Sequence, residues 1–194
     1  HRKIYWTEYQ TNPEEVISCS IDDPSDKGSV FATASSDATI RGIAASPALD
    51  KLVFVRRRID AAQTGLIYTS SLDGSLMKAI LEGPADSGVD DPYDVVIDDG
   101  NEKIYWINAS LMTAGDDCVH SSSMDGTSFG PLSTDINDLV RNLPDWEATA
   151  IDLNRLTNKL YIMVDYSTGV DTRIFTCSLD GTDAAEILSD VGSG

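Results

Sequence analysis

Lys3-Ile4-Tyr5-Trp6 returns unchanged as Lys103-Ile104-Tyr105-Trp106, and Lys51-Leu52-Val53-Phe54 and Lys159-Leu160-Tyr161-Ile162 fall into the same frame. The four lysines stand 48, 52 and 56 residues apart, a spacing that belongs to chains built from one repeated supersecondary unit, such as solenoids and propellers. A second landmark keeps step with the first. Leu72-Asp73-Gly74, Met124-Asp125-Gly126 and Leu179-Asp180-Gly181 each follow their lysine at a similar distance, and Asp-Gly between apolar runs signals a hairpin. Only the first repeat, with Ile21-Asp22-Asp23-Pro24, departs.

Each unit reads as a meander of short strands. In the third, Tyr93 to Asp98 is valine-rich, Gly100-Asn101 marks a turn, Lys103 to Ile107 is aromatic and branched, Cys118 to Met124 alternates, and Phe129 to Leu132 returns as a weaker fourth strand. With these strands lettered A to D, A recurs at Ile40 to Ser46 and Ala148 to Leu153. C recurs at Val16 to Ile21, Leu66 to Leu72 and Ile174 to Leu179. The B runs are apolar on both alternating faces, which requires sheets covered on both sides, and radially stacked four-stranded blades provide that. No period of 3.6 is sustained, apart from a single helical turn expected in a loop at Ile136 to Leu143.

The pattern resembles the YWTD propellers of low-density-lipoprotein-receptor type: an apolar strand ending in Asp, a basic residue leading an aromatic strand, and a strand closing on Leu-Asp-Gly. The matching residues are Gly42-Ile43-Ala44, Val95-Val96-Ile97-Asp98 and Thr149-Ala150-Ile151-Asp152, the lysine-led strands, and the three Asp-Gly turns. At the acidic fourth letter of the motif stand Glu8, Arg56, Asn108 and Val164, so only the first repeat keeps an acidic residue there. The expected fold is therefore an all-β propeller of four-stranded antiparallel blades in one domain, with repeats at approximately 1–39, 40–92, 93–147 and 148–194. The resemblance implies six blades. Repeat one begins at its second strand, so the chain is expected to be part of a larger protein supplying roughly two more blades.

Fourteen basic against 32 acidic residues leave a net charge of −18, which repels the phosphates of nucleic acid and anionic membranes. No apolar run approaches the roughly 20 residues that span a bilayer, and the first ten residues lack a signal-peptide core. Neither nucleic-acid binding nor membrane insertion by this segment is expected. Three cysteines do not make a self-contained disulfide framework; Cys19 and Cys177, equivalent in repeats one and four, read as small buried fillers.

Catalysis finds little support. A triad from His120, a nearby serine and Asp116 or Asp117 lacks a Gly-x-Ser-x-Gly nucleophile motif, and Cys118 with His120 on one strand face reads as packing. The expectation is no enzyme and no cofactor. Asp90-Asp91, Asp98-Asp99 and Asp116-Asp117 offer oxygen ligands without forming a calcium loop, although the resemblance leaves room for a calcium ion.

Recognition is the stronger theme. In the resembled family, partners dock on the face formed by the B-to-C loops and the segments leading into the A strands. Arg41, Tyr93, Trp146 and Glu147 stand there and suit a mixed aromatic and charged contact. Trp146, standing where the family has Pro, either meets the partner or plugs the space between blades. Arg56, Arg57 and Arg58 either meet an acidic partner or neighbouring copy, or neutralise nearby carboxylates from a solvated loop. Asn108-Ala109-Ser110 is a glycosylation sequon. The function expected is that of a non-catalytic extracellular or cell-surface protein-interaction module. The alternative is a structural building block contacting other copies or segments of its assembly, and a propeller hydrolase ranks third.

Overall fold

The computed structural model describes residues 2–8, 14–33, 39–57, 65–83, 88–109, 118–143, 146–166 and 171–190. They form four antiparallel meanders. The first sheet holds β1 (Lys3–Glu8), β2 (Glu15–Ser20) and β3 (Gly28–Ala32), and the second holds β4 (Thr39–Ser46), β5 (Lys51–Arg57), β6 (Leu66–Ser70) and β7 (Lys78–Glu82). The third contains β8 (Pro92–Asp98), β9 (Lys103–Asn108), β10 (Val119–Ser123) and β11 (Gly130–Pro131), and the fourth β12 (Trp146–Asn154), β13 (Lys159–Tyr166), β14 (Thr172–Ser178) and β15 (Ala185–Asp190). Among the described residues the first sheet has three strands, the expected A strand being the one it lacks.

Alternation along the second strands assembles the core. Leu52 and Phe54 face the first sheet, whereas Val53 and Val55 face the third. In β9, Ile104 and Trp106 turn back to the second sheet, and Tyr105 and Ile107 turn forward to the fourth. The second and third sheets thus each lend one face to the cluster behind and the other to the cluster ahead. Side chains such as Trp106 and Phe54 are fully buried, each contributing about 2–3 kcal/mol.

Polar contacts lock the inner strands side by side. The Asp94 carboxylate in β8 accepts from its neighbour Val95 N–H (2.9 Å) and from Ile151 N–H in β12 (3.0 Å). Gly42 in β4 lies so close to Asp94 that a Cβ there would collide with its carboxylate and Cα. Ile40 N–H donates to Glu14 at 2.6 Å, joining the first sheet to the second.

Two turns recur with little change. The A–B hairpins use loops 47–50, 99–102 and 155–158, and each ends on a left-handed residue: Asp50, Glu102 or Asn158. Ser46, Asp98 and Asn154 cap these loops by accepting backbone N–H groups, as short polar side chains do in turns. Asn154, not Asp152, therefore ends the fourth A strand in the place of Asp98; in β12 the apolar-Asp pair lies two residues too early to be the strand end.

In the C–D turns, Asp73, Asp125 and Asp180 each accept the N–H two residues on, and Gly74, Gly126 and Gly181 share φ +86°. The Asp125 carboxyl is held down to about 2 by hydrogen bonds from the Thr127 hydroxyl, the Thr127 N–H and Ser123.

Helix α1 (Thr134–Arg141) is longer than the single turn expected. Ser133 caps it, accepting from Asp135 N–H. Ile136 and Val140, one turn apart, enter the cluster between the third and fourth sheets. Asn137, fully buried, fastens the helix to β10: its Oδ1 accepts from both Cys118 and Val119 N–H (2.8 Å each), and its Nδ2 donates to Val119 and Leu132 carbonyls.

Gly126→Ala combines a left-handed φ with a collision against the Ile80 carbonyl oxygen and is expected to cost about 2–4 kcal/mol of stability by urea unfolding. Asp125, titrated by carboxyl NMR, is expected to show a midpoint near 2. Its stabilising contribution is complete above the ordinary carboxylate range and disappears as pH falls through that midpoint, and Thr127→Ala should move the midpoint upward.

Candidate interaction surface

The end of each sheet where the first strand starts and the second strand finishes forms an upper face, and the inner strands are kinked there alike. Pairing slips between Ile40 and Ile43 in β4, between Pro92 and Asp94 in β8, and between Ala148 and Ala150 in β12. Such bulges re-aim side chains. The residues they displace, Arg41 with Gly42, Tyr93 and Thr149, line one cavity of 390 Å³ together with Thr7, Ile40 and Asp94.

Tyr93 is the centre of a cationic cluster. The Arg41 guanidinium carbon lies 5.3 Å from its ring centroid and that of Arg57 5.5 Å, within cation–π range. Arg57 Nε also donates to Asp91 Oδ1 at 2.8 Å, with 6% of the Asp91 side chain exposed and 29% of that of Arg57. Burial works against the Arg57 charge, but Asp91, Glu147 and Tyr93 outweigh it and hold its pKa above the ordinary range. Burial raises the Asp94 carboxyl, against the lowering effect of the two N–H groups it accepts. At the other side of the cavity, Thr149 and Thr172 hydroxyls donate to Asp165 at 2.8 and 2.6 Å.

Of the residues singled out in the sequence, Arg41, Arg57 and Tyr93 are brought together, and exposed Glu147 contributes to the field at Arg57. Arg56 alternates to the opposite side of β5, pairing with Ile40 and Leu66. Trp146 opens β12 opposite Tyr166, but its side chain, like Arg58, Ser110, Asp116 and Asp117, lies outside the described residues. Sequence inspection missed Thr7, Asp94 and Thr149 as cavity residues, and it did not identify Asp91 as the partner of Arg57.

Asn108 requires a correction. It is 4% exposed, and its Nδ2 donates to Gly88 O at 2.9 Å beside Trp106 Nε1, which donates to the same oxygen at 2.8 Å. The nitrogen a glycan needs is thus engaged in the folded chain. Cys118 Sγ reaches Asn108 O at 3.7 Å and His120 stacks on Trp106, so thiol and imidazole each have another neighbour. None of the three cysteines forms a disulfide: Cys19 is half-buried rather than buried, and burial pushes the Cys177 thiol up to about 12. Among the described residues no three or more His, Cys, Asp or Glu side chains converge as a metal site, and no helix is long and apolar enough to cross a membrane. Asp98 is occupied by Asn101, and Asp99 by Arg155.

The geometry defines an all-β, propeller-like domain of antiparallel meanders with an upper-face cavity. No protein-family model matches the sequence, and no curated protein sequence matches it. Solved structures do. A chain of a nidogen/laminin complex is similar over 98% of this chain with a TM-score of 0.71 and 17% identity. TolB from Acinetobacter baumannii is similar over 96% (TM-score 0.66, 9% identity), and an oligogalacturonate lyase from Vibrio parahaemolyticus over 96% (0.61, 8%). This chain spans 63%, 41% and 50% of those chains. At such identities the likeness establishes the propeller fold alone.

Arg57→Ala would leave Asp91 buried without its cation. The expected loss, discounted for the exposure of the guanidinium, is about 2 kcal/mol in urea unfolding. Arg57→Lys should restore only part of it, because a point charge replaces a planar fork.

Proposed function

We propose that the chain is a non-catalytic protein-interaction module of an extracytoplasmic protein, of YWTD type, whose partner docks on the upper face. The observation that carries this is the convergence of three inner-strand bulges, which aim Arg41, Tyr93 and Thr149 into one cavity. Repeated kinking that merely closed the sheets would not require an aromatic ring bracketed by two guanidinium groups. Aromatic and arginine side chains are those most often responsible for binding energy at protein interfaces. The structural likeness to a chain of a protein complex, nidogen/laminin, supports the proposal. The lyase shares the same fold, but at 8% identity that likeness carries no activity to this chain.

A second reading, a building block in a larger assembly, is favoured by one specific observation: Ile4, Ile187 and Leu188 are about half exposed on the first and last sheets.

A photo-crosslinking residue at position 93, tested in extracellular fluid or a periplasmic extract, is expected to capture a discrete protein, and Arg41→Glu should reduce capture at least ten-fold. The control position is Leu156, 97% exposed at the opposite end of the fourth sheet. Equal capture from both positions, or capture indifferent to Arg41→Glu, would count against the upper face.

A further inference from the structure

The chain passes from β7 to β8 through a connection whose residues 88–91 are held along their length. Gly88 O accepts from two side chains of β9, Trp106 Nε1 at 2.8 Å and Asn108 Nδ2 at 2.9 Å. Gly88 itself, at φ +109°, rests on His120, which stacks on Trp106, and a Cβ there would collide with the imidazole. Val89 is fully buried in the cluster between the second and third sheets. Its carbonyl oxygen lies against Gly65 and Gly83, where a Cβ on either would strike it, and Gly83 N–H donates to Gly65 O at 3.1 Å. At the far end, Ala109 N–H donates to Asp91 O at 3.0 Å.

Burial of Val89 would be enough to carry the chain across. Apolar packing has no direction, however, whereas hydrogen bonds to both Gly88 O and Asp91 O fix the rotation and height of the segment between them. What they place is the Asp91 side chain, whose buried carboxylate accepts from Arg57 Nε at 2.8 Å. Arg57 in turn lies over the Tyr93 ring. The choice of side chain in β9 points the same way. Five residues after its lysine, β13 carries a fully buried valine, Val164, where β9 carries Asn108, so packing at that place asks for no amide. Burying one is costly unless its polar atoms are used, and the atom used here is the Nδ2 that grips Gly88.

We propose that residues 88–91 are a clamped strap that presets the upper face, with Trp106 and Asn108 as its positioning residues. They hold Gly88, the strap holds Asp91, and Asp91 holds Arg57 against Tyr93. Side chains buried in the third sheet thereby set the rotamer of an arginine that belongs to the second. A partner meets a guanidinium already in place, and the freedom of that long side chain is not lost again on binding. This last consequence rests on docking at the upper face; the strap and its hold on Arg57 do not.

Hydrogen exchange at the Arg57 Nε–H, followed by NMR, reads the strap without any partner. Asn108→Ala and Trp106→Phe, the second keeping an aromatic ring beside His120, are each expected to speed it by roughly ten-fold or more, while the Asp125 carboxyl at the lower end keeps its midpoint near 2. Capture from position 93 should fall about three-fold in the same variants. Unchanged exchange in both variants overturns the proposal. So does fast exchange accompanied by an Asp125 midpoint in the ordinary carboxylate range, because Trp106 and Asn108 would then be supporting the whole fold rather than placing Arg57. Fast exchange with Asp125 undisturbed and capture unaltered upholds the strap and removes the upper face as the docking site.

Discussion

Second strands that are apolar on both faces gain most when both faces are covered, as in β5 and β9, and the rest of the architecture follows from that demand. A strand such as Lys51–Arg57 must have a sheet on either side, so the sheets stack face to face, and each apolar cluster belongs to two neighbours. Stability is then divided into sheet terms and nearest-neighbour terms, much as in other repeat architectures. Hydrogen bonds that cross between sheets, such as Asp94 to Ile151 and Tyr5 to Leu72, set the angle and height at which the apolar faces meet.

Within that frame the repeat resolves into fixed and adjustable parts. The fixed parts are those in which the backbone itself is the contact: the left-handed glycines of the C–D turns and the close approach of Gly42 to Asp94. Side chains there have no room to vary. The adjustable parts are the inner-strand bulges, where the same kink presents arginine, tyrosine or threonine without altering the strand pairing that follows.

What the sequence revealed and what it hid divide along physical lines. Strand identity was legible because alternation is local: Lys103-Ile104-Tyr105-Trp106 shows both of its faces within four letters. The Asp-Gly turns were legible for the same reason. The upper-face cavity was only half legible. Arg41 and Tyr93 could be placed near one face from repeat phase, but the bulges that turn them inward depend on register between strands, which no single segment encodes. Asp91 and Arg57 meet across two sheets, so the sequence offered a carboxylate-neutralising role for the arginine run without showing which carboxylate it would meet. Asn108 failed in the opposite sense: its triplet is a perfect local match, and only the packing of Gly88 over β9 removes it from the surface. Helix α1 was underestimated because its stability comes from Asn137 and the apolar seam rather than from a long amphipathic stripe.

Loop lengths are distributed unevenly between the two ends of the sheets. At the lower end the hairpins 47–50, 99–102 and 155–158 are identical in length, pinned by a capping side chain and a left-handed residue. At the upper end the connections 33–38, 83–91 and 132–145 differ widely, as do those between second and third strands. Insertions and deletions there leave every register untouched. Evolution can thus rewrite the surface that surrounds Arg41 and Tyr93 by indel as well as by substitution, while the opposite rim stays frozen, so descendants of this chain should diverge in specificity long before they diverge in shape.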